Sequence, residues 1–191
     1  MSKEHLQYYN LQEDLLRKQS YTEFQQVIPH LYIGGQISSL NLPKLQAEGI
    51  KHVLRVNGIS QNMINYDKHG IAFKLLDIDD MPDFDILPFI EEANSFIQAG
   101  VAKEEGVLVV CTAGISRSAA IVIAYLMKSK GLKYAEAHAI VKKARIFVQP
   151  NVGFERALLA YEQTLKPACE LCTFEKKTHW FEQYGKKRFG P

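Results

Sequence analysis

Three cysteines in 191 residues are too few to staple a secreted domain. They suit a reducing compartment, where a free thiolate survives. No apolar run approaches the length of a membrane span. The amino terminus, Met1-Ser-Lys-Glu-His-Leu6, has no apolar signal core, and Ser2 stands where N-myristoylation requires glycine. The expectation is a soluble chain of the cytoplasm or nucleus. Charge of one sign is also scarce: the formal net charge is +2, too small to argue for a nucleic-acid partner. Repeats and low-complexity stretches are missing as well. What is present is 47% apolar and 23% charged, enough for an ordinary core in one domain.

One stretch organises the rest: Val107-Leu-Val-Val-Cys-Thr-Ala-Gly-Ile-Ser-Arg-Ser118. Its apolar start reads as a short buried strand, and Ser118-Ala-Ala-Ile-Val-Ile-Ala-Tyr-Leu-Met127 reads as a helix apolar on all sides. A strand turning directly into a helix leaves the first helical N–H groups unpaired, and the helix dipole adds positive potential at the same spot. Such a turn is an anion site. Gly114 lets the loop Thr112-Ala113-Gly114-Ile115-Ser116 curl close to the anion, and Arg117 offers a planar, two-pronged donor. Cys111 lies at the floor, where positive surroundings favour the thiolate, the nucleophilic form. A lone cysteine closing an apolar strand is ordinarily just a small buried hydrophobe. Here the strand, the glycine, the small loop residues and the helix start together favour a nucleophile in a phosphate cradle.

Cys111-Thr-Ala-Gly-Ile-Ser-Arg-Ser118 resembles the Cys-x5-Arg loop of the protein-tyrosine-phosphatase superfamily, and Ala113-Gly-Ile-Ser-Arg-Ser118 is most similar to its dual-specificity branch. Pro29-His-Leu-Tyr-Ile-Gly34 resembles the opening of those domains, and Pro150-Asn-Val-Gly-Phe154 a motif that the family uses to buttress the catalytic loop. Arg145 sits where the family often has an arginine. The likeness spans residues 27–165, with one departure: Val110 replaces the usual histidine before the cysteine. The resemblance implies phosphoryl transfer to Cys111, with Arg117 gripping the phosphate and Ser118 hydrogen-bonding the thiolate. It also implies an acid in the carboxylate-rich stretch Asp77-Ile-Asp-Asp-Met-Pro-Asp-Phe-Asp85. In the family this acid lies four residues before the residue opening the next helix motif, here Phe84-Asp-Ile-Leu-Pro-Phe-Ile-Glu-Glu-Ala93, which points to Asp80. Asp79 and Asp83 are its rivals.

Strands alternating with helices imply an α/β domain with a central, mostly parallel sheet flanked by helices, and the resemblance implies the protein-tyrosine-phosphatase fold. Three parts are expected: an N-terminal helical extension at 1–26, the phosphatase domain at 27–165, and a tail at 166–191. Within the domain, 27–35 has the look of an edge strand broken by Gly34 and Gly35. A short helix over 40–49 closes at Gly49, and strands follow at 51–57 and 72–78. Helices are expected over 86–98, ending at Gly100, from 118 to about Gly131, over 133–145, and after an N-cap at Asn151.

The expected substrate is a phosphoprotein carrying phosphotyrosine or phosphoserine/phosphothreonine. The loop interior holds no Lys or His of the kind expected for multiply phosphorylated inositol lipids. No cofactor or metal is required, because amides and arginine suffice for the charge on phosphate oxygens. His138 reads as a surface or satisfied histidine, not a base. Cys169-x2-Cys172 is half of a typical zinc site and His179 adds one ligand, but four ligands are not in evidence. Two competing readings remain: a phosphatase-like module that binds phosphoproteins with little or no turnover, and a scaffold acting through that tail.

Overall fold

A computed structural model describes residues 21–57 and 64–165. Strands β1 (Phe24–Ile28), β2 (Leu31–Gly35), β3 (Ile50–Val56), β4 (Ala72–Leu76) and β5 (Gly106–Cys111) form one sheet in the order β1-β2-β5-β3-β4. Every neighbouring pair is parallel except β1–β2. Among the described residues five α-helices are assigned: α1 (Leu42–Ala47), α2 (Leu87–Val101), α3 (Arg117–Lys130), α4 (Tyr134–Ala144) and α5 (Val152–Thr164), with 3-10 turns at Gln36–Leu40 and Tyr66–His69. The mostly parallel α/β architecture matches the sequence expectation. Among the described residues no helix is long and apolar enough to cross a membrane.

β5 is central and buried along its whole length, as a strand covered on both faces must be. Its side chains alternate between two cores. Val107, Val109 and Cys111 face the larger one with α2, α3, α4 and α5, whereas Leu108 and Val110 face a smaller one containing Leu45 of α1 and Tyr66. α3 is buried from Ser118 to Met127, with α2, α4 and α5 packed around it. Full burial of each Ile or Leu contributes about 1.5–3 kcal/mol. The loop between β5 and α3 is thus held at both ends by the best-packed elements of the domain.

Two local expectations are corrected. Residues 27–35 are not one edge strand: Pro29 has no N–H for the ladder, His30 takes the left-handed conformation (φ 64°), and the chain reverses. β1 becomes the antiparallel edge, and β2, Gly34 and Gly35 included, pairs inside the sheet with β5. Gly100 does not end its helix either. It lies inside α2, where an added Cβ would come within 2.5 Å of Val107 and 2.7 Å of His52. Packing against β5 and β3, not capping, requires glycine there. The remaining expectations hold closely: Gly49 and Gly131 adopt left-handed φ behind their helices, and Asn151 caps α5. The boundary of the helical extension expected over 1–26 is also corrected, since Phe24–Ile28 is strand β1 of the sheet. Residues 1–20 of that extension and the Cys169-x2-Cys172 and His179 feature lie outside the described residues.

Candidate active site

The loop Thr112–Ser116 takes its shape from its carbonyls. Thr112 O accepts the Gln36 amide (3.2 Å), Ala113 O accepts Arg145 Nη2 (2.9 Å), Gly114 O accepts Arg145 Nε (2.7 Å), and Ile115 O accepts the Gln149 amide (2.9 Å). Four successive peptide units therefore turn their oxygens away from the loop's interior. A planar trans peptide points its N–H opposite to its C=O, so the N–H groups of residues 113–116 converge on the inside. Gly114 N–H donates to Cys111 Sγ at 3.2 Å, which shows where that interior lies. Gly114 has φ +69°, and a Cβ there would sit 2.6 Å from the Gly34 backbone, so the curl depends on two glycines meeting.

Cys111 is 1% exposed, and Ser118 Oγ donates to its sulfur at 3.3 Å. Ser118 reaches it because the first turn of α3 folds back over the strand end. The N-cap residue Ser116 makes no side-chain cap bond, so the N-terminus of α3 presents its amides to the loop. Arg117 Nη2 donates to Thr112 Oγ1 (3.0 Å) and Nη1 to Ile78 O (3.3 Å), while its buried Nε has no hydrogen-bond partner. Together these groups form a concave set of donors above a sulfur atom, suited to a tetrahedral oxyanion.

Of the carboxylates in 77–85, Asp80 is the one brought to the loop. Its Oδ1 accepts Ser116 Oγ (2.6 Å) and Asn151 Nδ2 (2.9 Å), and its Oδ2 lies 3.6 Å from Arg117 Nε. Asn151 also accepts the amides of Gly153 and Phe154 through Oδ1, and its own N–H donates to Ser116 Oγ at 3.0 Å. One residue thus caps α5 and positions Asp80. Asp79, Asp80 and Asp83 are all exposed, so what separates Asp80 from its rivals is its contacts with Ser116, Asn151 and Arg117.

Sequence reasoning placed Arg145 without a function. The structure makes it the main brace of the loop: 2% exposed, it spans from the two loop carbonyls to Gln25 Oε1 on β1 (2.7 Å). Burial pulls its pKa down, and the neighbouring Cys111 opposes that. Gln25 had no sequence signal, since its contact lies 120 residues away. Arg145→Met should strand two carbonyls at about 1–3 kcal/mol each and let the loop shift, lowering turnover by roughly 10²-fold. Thermal melting and steady-state kinetics check this, and Arg145→Lys should recover only part.

Val110 points away from Cys111 into the smaller core. Its register partner on β3 is Arg55, also buried, whose Nε donates to Asn57 Oδ1 (3.1 Å). Asn57 Nδ2 in turn donates to Gln36 Oε1 (3.1 Å), behind the Thr112 end of the loop. His138 stacks on Tyr134, and burial, then Lys142, lowers its pKa; it does not approach the loop in any described contact. Among the described residues no group of three or more His, Cys, Asp or Glu could hold a metal ion.

Comparison with known proteins places the chain in a family with this fold. The "Dual specificity phosphatase, catalytic domain" family matches residues 31–164. Human dual specificity protein phosphatase 7 is 39% identical over 142 residues, 73% of this chain and 33% of that protein. Mouse serine/threonine/tyrosine-interacting protein is 39% identical over 144 residues, 73% of this chain and 65% of that protein. The chain therefore spans less than two thirds of the length of these relatives. The crystal structure of the human tyrosine phosphatase-like serine/threonine/tyrosine-interacting protein superimposes with a TM-score of 0.69 at 36% identity, covering 75% of this chain and 97% of that one. The chain belongs to the dual specificity phosphatase family.

Proposed function

We propose that this chain hydrolyses phosphoproteins, at tyrosine and at serine or threonine, through a phosphocysteine intermediate, with residues 24–165, β1 and Gln25 included, as the catalytic unit. The observation that carries this reading is the cradle: four outward carbonyls, inward amides, and Cys111 Sγ beneath them with donors from Gly114 and Ser118. Cys111 attacks phosphorus in line, forming the S–P bond as the P–O bond to the side chain breaks. The amides of residues 113–116 and Arg117 hold the equatorial oxygens. Asp80 gives its proton to the departing oxygen, then takes one from the water that attacks the phosphocysteine. Ser118 hydrogen-bonds the thiolate that leaves, and inorganic phosphate is released. A free thiol nucleophile fits a reducing setting such as the cytoplasm. A module that binds without turnover is the weaker reading, because such relatives generally lose the cysteine or the arginine, and both stand here.

Turnover of an aryl phosphate and of phosphopeptides tests the proposal. Arg117→Lys should retain the fold and lose roughly 10²–10³-fold in kcat/KM, since an ammonium cannot reproduce the planar two-pronged contact. Near-normal kinetics in that variant would mean that Arg117 does not hold the phosphate.

A further inference from the structure

Eight large apolar side chains are exposed among the described residues. Scattered exposures of this kind need no explanation, but their placement here is uneven. The four most exposed are Ile37 (53%), Met81 (56%), Ile146 (61%) and Val152 (57%). Each is the immediate chain neighbour of the acid or of a residue that holds the cradle or the acid. Ile37 follows Gln36, whose amide binds Thr112 O, and Ile146 follows Arg145, which binds Ala113 O and Gly114 O. Met81 follows Asp80, and Val152 follows Asn151, which binds Asp80.

The four fall into two pairs. A Cβ added to Gly153 would lie 1.8 Å from Pro82 O, so those two backbones touch and bring Met81 and Val152 together on the acid side. On the other side, Gln36 and Arg145 bind consecutive carbonyls of the loop, which brings Ile37 and Ile146 to its Thr112–Gly114 end. The apolar surface thus flanks the cradle on two sides. Recognition of the phosphate by amides and Arg117 is the same for any phosphoester, so discrimination among substrates falls to these walls.

We propose that Ile37, Met81, Ile146 and Val152 form an apolar collar around the cradle, and that the substrate is a phosphoprotein segment with bulky apolar side chains on both sides of the phosphorylated residue. This rests on the phosphatase reading above. A flanking Leu or Phe removes apolar area from water on both partners, which a flanking carboxylate cannot do without losing its hydration. Asp79 and Asp83, exposed beside the Met81–Pro82 corner, repel it further. Acidic and multiply phosphorylated segments are therefore poor substrates.

The test uses the full chain and phosphotyrosine peptides that differ only in the flanking residues, Leu, Ser or Asp, each referred to an aryl phosphate as internal standard. Leu-flanked peptide should exceed Ser-flanked by roughly tenfold in relative kcat/KM, as partial burial of such side chains implies, with Asp-flanked lowest. The double variants Ile37→Ser/Ile146→Ser and Met81→Ser/Val152→Ser should each remove the preference on one side only. Leu159→Ser, at an exposed apolar position of α5 away from the loop, should leave the order intact. Equal relative kcat/KM across the three peptides, with the aryl phosphate turned over, overturns the collar and leaves the phosphatase reading standing. If no phosphoester is turned over, that reading fails, and calorimetry of the same peptides with Cys111→Ser decides the collar by affinity. A dimer that the Ser variants dissociate, with no peptide preference, would assign the surface to a second copy and also overturn it.

Discussion

Cys111→Ser should reduce phosphoester turnover to background while leaving oxyanion binding in place. A serine hydroxyl has no adjacent base here to activate it: the groups nearest Cys111 Sγ are the Gly114 amide and the Ser118 hydroxyl, both donors. The loop carbonyls remain tied to Gln36, Arg145 and Gln149, so the amides stay convergent. Calorimetry with tungstate or a phosphopeptide should therefore give affinity similar to that of the unaltered protein. Substantial turnover in this variant would remove the covalent mechanism, and lost binding with an intact fold would mean that the sulfur, not the amide cradle, holds the anion.

The second large effect concerns Asp80. Asp80→Asn should lower turnover of a phosphopeptide by roughly 10²–10⁴-fold, the range for a positioned general acid. With an aryl phosphate whose leaving group departs unprotonated, the loss should be much smaller. Asn can still accept from Ser116 Oγ and Asn151 Nδ2, so the loop around it should keep its geometry. Asp79→Asn and Asp83→Asn should lack this dependence on the leaving group, since neither residue is brought to the cradle. The same dependence in Asp83→Asn but not in Asp80→Asn would move the acid three residues along the chain.

How far the sequence disclosed the site follows from how local each part is. Cys111, the loop and Arg117 share one strand–turn–helix, so strand burial, a glycine and a helix start were enough to single them out as candidates, whereas Ser118's role rested on the family resemblance. Asp80 was another matter. Its partners Ser116 and Asn151 lie 36 and 71 residues away, and only the family spacing separated it from Asp79 and Asp83. Arg145 stood out only as a position where the family often has an arginine, and burial with its bonds to carbonyls 31 and 32 residues back gives it a purpose. The β1–β2 reversal was hidden because a histidine, not a glycine, supplies the left-handed turn residue. Gly100 misled for the opposite reason: glycine near a helix end reads as a cap, and here contacts with Val107 and His52 require it inside the helix.

The central claim is that phosphate passes through Cys111. Mixing the protein with excess phosphopeptide, quenching with denaturant at alkaline pH within one turnover and mapping the digest by mass spectrometry tests it directly. The account predicts one phosphoryl group on the peptide containing Cys111, absent in Cys111→Ser and lost when the phosphopeptide is allowed to run out before the quench. Steady turnover without any phosphoryl label on Cys111, or label on another residue, would contradict it.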